Sequence, residues 1–499
     1  MNLDALRLLT PEITITIFAF AIISLDIAWN DENKSRRILP WLAFAGGLAT
    51  LLMIFYIWPH VDQYNYTAAT DAGREVPMLA VDRMSLFFKM IAVLTVILVG
   101  LSAGEYVEKH TPFRGEFYGL MLLAGLSIML LVSSTNLIMI YLALEFLSIT
   151  SYILTGFLRR DARSIEAALK YFLYGALASG VMLYGFSLLY GATGSVDLAT
   201  IAGSLETTQA GLVVAAVILM LAGFGFKIAL VPFHQWSPDA YEGAPTPITA
   251  FLSVGPKAAG LAVLIRVMVV ALPAFDVNWT PILSLVAIFT MSVGNLVALW
   301  QTNMKRMLAY SSIAQAGYML VGLAAWSAAP PSAVAYLGGV DAIMLFLLAY
   351  MFTNLGVFAI AIILENQMGT SEIADYAGLI RRSPYLSVAL LIFFLSLVGI
   401  PPTSGFIGKL FVFGAAVNQG LYVLALFGVF NSVISVAYYF GVLRNVFFEK
   451  GSDESPIRVG VAMNTVVTIT VVMTLLIALY GQPFIQLAAD SAQILAANF

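Results

Sequence analysis

Five charged side chains sit where charge is costly. Glu145, Lys170, Lys227, Lys257 and Lys409 all fall inside long apolar stretches of the chain. An ionisable group at bilayer depth costs at least about 2.5–3.5 kcal/mol on insertion scales, so each needs a partner, water or a function. Glu145 lies in MIYLALEFLSITSY, past Asn136 by about nine residues, or roughly 14 Å along a helix. Tyr141, Ser148 and Tyr152 stand at helical spacing from it, which puts all four on one face. Lys227 lies in LAGFGFKIALVPFHQW, five residues ahead of Pro232. A proline there removes a backbone hydrogen bond and clashes with the carbonyl four residues back. The lysine therefore stands beside a polar defect that water or a partner must satisfy.

Lys257 directly follows Pro256 in FLSVGPKAAGLAVLI, near the middle of its span. Lys409 comes seven residues after Pro402 in LVGIPPTSGFIGKLFVF. Both are too deep for the stem to carry the ammonium to an interface. Lys170 is nearer a span end and has Glu166 four residues before it, so a local ion pair and snorkelling both account for it. His234 falls in the break after Lys227. An imidazole, titrating near about 6.5, suits a proton relay; a capping or hydrogen-bonding role accounts for it equally well. Two polar stripes at steps of four and three, Ser311–Gln315–Tyr318 and Asn431–Ser435–Tyr438, add hydroxyls and amides.

The chemistry these residue types share is proton transfer. Desolvation favours a neutral amine and a nearby carboxylate favours the ammonium. Moving that carboxylate, or its proton, would switch a buried lysine between holding and releasing a proton. A row of Lys and Glu joined by Ser, Tyr, Gln and Asn can hold a water chain along the middle of a membrane.

The elements that must position this row follow from composition. Of 499 residues, 61% are hydrophobic and 10% charged, with a mean hydropathy of +0.92. Soluble domains run near 45–50% apolar and about 25% charged, so the composition is that of an all-α polytopic membrane protein. Windows of about 20 apolar residues place fourteen spans near 10–29, 39–58, 84–104, 117–134, 136–158, 166–190, 211–231, 246–272, 281–300, 307–326, 337–364, 386–417, 421–443 and 457–480. Fifteen Lys and Arg lie in alternate loops, against Arg7 and Arg74 on the opposite side. That asymmetry predicts an even number of spans with both termini on the outer face.

A weak internal repeat is present. GATGSVDL closes segment six and ENQMGTSEIADY closes segment eleven, and the next segment in each case is interrupted by proline. Five spans separate the two breaks, so the copies cross in opposite senses, as in transporter folds with inverted repeats and broken helices. The chain has no cysteine, which excludes thiolate metal sites, disulfides and CxxC redox chemistry. His60, His110 and His234 are far apart in sequence. The net charge of −4 with no basic tail argues against nucleic acid. No removable signal peptide or Arg-rich transit peptide is expected at the start.

Three stretches carry a family resemblance: HQWSPDAYEGAPTPITAFLSVGPKAAGLAVLIRV, MKRMLAYSSIAQAGYML and VGIPPTSGFIGKLFVF. They resemble the antiporter-like membrane subunits of bacterial NADH:quinone oxidoreductase (respiratory complex I). YEGAPTP followed by SVGPKAA points to the subunit N branch. The resemblance implies two inverted five-helix repeats, taken over 116–273 and 274–448, preceded by three helices in 1–115 and followed by one helix and a tail in 449–499. It implies a proton-translocating subunit of the plasma membrane, part of an enzyme complex, with no redox chemistry and no cofactor of its own. Its implied partners are other antiporter-like and small membrane subunits, the lipid bilayer and protons.

The family's functional acid matches Glu145. Its lysines match Lys170, Lys227, Lys257 and Lys409, and its histidine matches His234. Tyr241 departs from related subunits that carry a histidine there. A subunit of a multisubunit cation/proton antiporter and a non-pumping membrane scaffold are the alternative readings.

Overall fold

The computed structural model describes residues 3–29, 32–61, 63–71, 74–205, 209–272, 279–328, 338–451 and 455–493. A short helix α1 (Leu3–Leu8) leads into α2 (Thr10–Ala28) and α3 (Glu32–Ile57). An antiparallel hairpin, β1 (Gln63–Asp71) and β2 (Arg74–Asp82), follows before α4 (Arg83–His110). The polar stretch between α3 and α4 is thus largely paired backbone, with Gln63 opposite Asp82 and a register shift around Thr67.

The chain continues through α5 (Arg114–Ser133), α6 (Leu137–Thr155), α7 (Ala162–Thr193), the short α8 (Leu198–Ser204), α9 (Ala210–Ile228), α10 (Trp236–Gly243) and α11 (Thr246–Arg266). A π-helical turn, Val267–Ala271, extends α11. Then come α12 (Thr280–Ala298), α13 (Met304–Ala328), α14 (Gly339–Met368), α15 (Leu379–Arg382), α16 (Pro384–Val398), α17 (Ser404–Asn418), α18 (Tyr422–Phe448), α19 (Val461–Leu479) and α20 (Gln482–Gln493).

Among the described residues, thirteen helices are long and apolar enough to cross a membrane. The remaining expected span is made by two shorter apolar helices in series, α16 and α17. As one helix, 386–417 would measure roughly 48 Å at about 1.5 Å per residue, well beyond a bilayer core of about 30 Å. The PPTSG stretch divides it. The expected break in segment seven is likewise present between α9 and α10.

The inverted repeat is visible in paired backbone contacts. In the first copy, Leu137 N donates to Val196 O at 2.8 Å and Leu198 N to Thr135 O at 3.0 Å. In the second, Met304 N donates to Ser371 O at 2.7 Å and Ile373 N to Thr302 O at 2.8 Å. A Thr-Asn turn before α6 (Thr135–Asn136) thus pairs with the acidic exit of α7 (Asp197), and Thr302–Asn303 before α13 pairs with Glu372 after α14. Gly194 and Gly369, both at φ 72°, end α7 and α14. An odd number of spans separates the two constructions, so they lie on opposite membrane faces.

Burial sorts the helices by role. α14 is buried throughout, and α11 and α13 nearly so, while α2, α7 and α19 leave much of their surface open. A helix apolar on all sides belongs inside a bundle. The polar exceptions on α11, α13 and α14 therefore face other protein.

Candidate functional site

The first break holds Lys227. α9 ends at Ala229 in the left-handed conformation (φ 63°), with Leu230 N bonded back to Gly225 O at 2.7 Å. Lys227 occupies the last turn, is wholly buried, and donates to Ser148 Oγ on α6 at 3.1 Å. Its ammonium lies 5.9 Å from the Tyr171 ring centre. Tyr171 stacks on Trp236 at 4.1 Å, and the Trp236 indole N–H donates to Phe226 O at 2.9 Å. Aromatic side chains from α7 and α10 thus pack beside the buried lysine.

Glu145 stands one turn before Ser148 on the same helix, as its stripe predicted. Its Oε1 is buried without a hydrogen-bond partner, and it makes no ion pair with Lys227. One helical turn separates the carboxylate from the residue that the lysine holds.

The middle of the row belongs to Lys257 on α11, 3% exposed. It donates to Ser312 Oγ on α13 at 2.5 Å, and Tyr350 OH on α14 donates to the same oxygen at 2.8 Å. The Tyr241 ring centre lies 5.9 Å from the ammonium. From Ser312 a polar chain runs into the second repeat. Its neighbour Ser311 is hydrogen-bonded to Tyr439 OH on α18. The Tyr439 and Tyr438 rings are 4.3 Å apart. Tyr438 OH donates to Asn295 Oδ1 at 3.0 Å, and Asn295 Nδ2 donates to Tyr318 OH at 3.0 Å and Asn431 Oδ1 at 3.3 Å.

The chain ends at Lys409. Its ammonium sits 4.3 Å from the Tyr318 ring centre and donates to Ser432 Oγ at 3.2 Å. It also donates to the carbonyls of Leu397 and Val398, each at 2.9 Å. These are terminal carbonyls of α16, so the lysine caps the negative end of that half-helix. Gln315 Nε2 shares the Leu397 carbonyl at 3.0 Å. Gly399, at φ 92°, makes the turn possible: a Cβ there would stand 2.9 Å from Lys409 Cδ.

The structure therefore brings Lys227, Lys257 and Lys409 into the interior, where hydroxyls, aromatic faces and, for Lys409, carbonyls surround their ammonium groups, and none of the three is ion-paired among the described residues. Glu145 joins them at one end. Lys170 does not: its side chain is 41% exposed and is paired with Glu166 at 2.8 Å and with Asp239 of α10 at 2.9 Å. Asp239 and Glu242 in turn hold Arg306 of α13, at 2.6 and 2.9 Å. His234 lies half-buried in the turn between α9 and α10, its Nδ1 unpaired among the described residues. It makes no contact with the lysines.

Two buried ion pairs lie outside the sequence reading. Arg266 is bidentate to Asp82, at 2.8 and 3.0 Å, with both side chains nearly wholly buried. Burial works to raise the Asp82 carboxyl, but Arg266 and the Ser85 amide outweigh it and hold the group below the usual carboxylate range. Lys89 on α4 pairs with Glu12 on α2 at 2.7 Å, also buried. Neither pair has a local signal, because the partners come from helices far apart in sequence.

Residues 134–435 match the family model described as NADH:quinone oxidoreductase/Mrp antiporter, TM. A protein of Symbiobacterium thermophilum named NADH-quinone oxidoreductase subunit N 2 is 42% identical, over 97% of this chain and 96% of its own. The Heliobacterium modesticaldum protein named NADH-quinone oxidoreductase subunit N is 39% identical, over 98% and 99%. A chain of respiratory complex I from Thermus thermophilus with bound aureothin superposes at TM-score 0.78 with 33% identity, covering 96% of this chain and 100% of that one. A chain of the Mrp complex from Dietzia sp. DQ12-45-1b shares the fold at TM-score 0.83 and 23% identity, over 98% of both. Sequence, length and fold agree, and the chain belongs to the NADH:quinone oxidoreductase/Mrp antiporter family, among the relatives named NADH-quinone oxidoreductase subunit N.

Proposed function

We propose that this chain carries protons across the plasma membrane as a membrane subunit of NADH:quinone oxidoreductase, driven by quinone reduction in partner subunits. The observation that carries this reading is the succession of buried polar side chains between Lys257 and Lys409, with hydrogen bonds at Lys257–Ser312, Ser311–Tyr439, Tyr438–Asn295 and Asn295–Tyr318 and with the Tyr318 ring against the Lys409 ammonium. A scaffold has no use for lysines without counter-charges at this depth. In this account Glu145 biases Lys227, which accepts and releases a proton beside the first break. Lys257 passes charge between the repeats, and Lys409 serves the second break. Lys170 and Asp239 set the position of α10. His234 is placed at the edge of the first break as a relay. No residue of this chain takes part in the redox chemistry. The Lys- and Arg-rich loops face inward and both termini outward.

The relatives' names favour the oxidoreductase over a free-standing antiporter, whose likeness here is one of fold. The test is proton uptake by vesicles holding the whole complex during quinone reduction. Lys227→Ala and Glu145→Gln should each lower the proton-to-electron ratio while quinone reduction continues. Unchanged ratios in both would remove the channel reading.

A further inference from the structure

A polar cavity of about 450 Å³ opens on the face that carries Lys109, Arg163 and Lys305. At its inner wall lies Glu365, at the end of α14. One carboxylate oxygen accepts from Thr246 Oγ1 and from Ser371 Oγ at 3.0 Å, and lies 3.9 Å from the Lys305 ammonium. The other accepts from Tyr106 OH at 3.5 Å, and Tyr106 stacks on His110 at 4.1 Å. The other acids around the cavity are engaged elsewhere. Glu242 holds Arg306, Asp161 caps α7, and Glu372 accepts from Asn303 Nδ2.

From Glu365 a buried column leads inward along α11. Thr246, Thr249, Ser253 and Lys257 follow at steps of three, four and four, all on one helical side. Thr249 Oγ1 donates to Tyr241 O at 2.9 Å, and Ser253 Oγ accepts from Asn354 Nδ2 of α14 at 2.6 Å. Pro256 has no N–H, which frees the Leu252 carbonyl from its helical partner between Ser253 and Lys257. The distance from Thr246 to Lys257 is roughly 16 Å at about 1.5 Å per residue. Residues three or four apart on a helix have Cβ atoms about 5–6 Å apart, so single waters between the hydroxyls would complete the column.

We propose that Glu365 is the proton-loading carboxylate of an inner-face inlet that feeds Lys257 through this column. The proposal rests on the reading of Lys257 as a proton carrier. A proton from water in the cavity converts the Glu365 carboxylate to the acid. Transfer along the column, hydroxyl to water to hydroxyl, protonates the neutral Lys257 amine and restores the carboxylate. One proton moves and no other bond changes. Lys305, 3.9 Å from Glu365, donates to the Ala244 carbonyl at 3.1 Å.

The test uses the whole complex in vesicles, with Glu365→Gln, Glu365→Asp and Lys257→Met. Gln keeps the hydrogen bonds that tie α14 to the start of α11, so a purely structural Glu365 would tolerate it. The expected result is that Glu365→Gln falls to the ratio of Lys257→Met while Glu365→Asp stays above it. A second readout is independent of pumping. The chain has no cysteine, so a thiol reagent that cannot cross membranes reports in this subunit's gel band only on an introduced residue. Ser253→Cys should be labelled from the inner face and not from the outer. If Glu365→Gln keeps the wild-type ratio while Lys257→Met lowers it, the inlet is overturned and the pumping reading stands. If neither lowers it, the pumping reading falls. Equal loss in Gln and Asp with Ser253→Cys unlabelled from the inner face would assign Glu365 a structural role.

Discussion

At the residue scale, the three interior lysines share one property: each is held by neutral acceptors. A lysine bound to a carboxylate would keep its proton; one bound to Ser148, to Ser312 or to the Leu397 and Val398 carbonyls can part with it. Charge and proton release can be separated by substitution, because arginine stays protonated in proteins. Lys257→Arg should assemble and reduce quinone yet pump no better than Lys257→Met. Recovery of the wild-type ratio by arginine would show that fixed charge suffices. These lysines were legible in the sequence because each stood alone in an apolar run beside a proline or near one. Glu12 and Lys89 were not legible, nor was the Arg266–Asp82 pair. An ion pair between distant helices leaves no spacing to read, and Asp82 and Arg266 are 184 residues apart.

At the element scale, the two broken helices place a lysine at each break by different means. In the first copy the lysine precedes the break and points to α6. In the second it follows the break and folds back on the end of α16. Gly399 permits that return. An L-residue in the left-handed region costs roughly 1–2 kcal/mol, and a Cβ at this site also meets the Lys409 stem. Gly399→Ala should therefore lower the thermal midpoint of the purified complex by a few degrees and reduce the pumping ratio. A variant with an unchanged midpoint and ratio would show that the turn is not held in this conformation. The second break was legible from the length of the apolar run and its paired prolines. The turn at Ala229 was not, since alanine carries no signal for positive φ. The Thr-Asn turns that register the repeats were also missed, because two common residues repeated once do not stand out from the background.

At the scale of the whole molecule, the bundle is a set of enclosed helices with a polar seam, tied at one end by the bidentate Arg266–Asp82 pair. Removing one partner of a buried ion pair typically costs about 3–5 kcal/mol. Arg266→Met should accordingly reduce the yield and thermal midpoint of the assembled complex, and an unchanged midpoint would show that the pair is dispensable. The loop charges predict an orientation that thiol labelling can test. Arg160→Cys, on the exposed Arg-rich loop between α6 and α7, should react with an impermeant thiol reagent only after permeabilisation. Gly203→Cys, where an added Cβ meets nothing within 4 Å, should react from outside. The reverse pattern would invert the molecule.

The central claim is that the deep lysines form one route across both repeats. The most direct measurement is the proton-to-electron ratio of vesicles carrying Lys227→Met, Lys409→Met and the double variant. Residues acting in one unit are non-additive. With one shared route, both single variants should lose the same share of pumping and the double should lose no more. Losses that add, or a single variant that pumps as wild type, would contradict it.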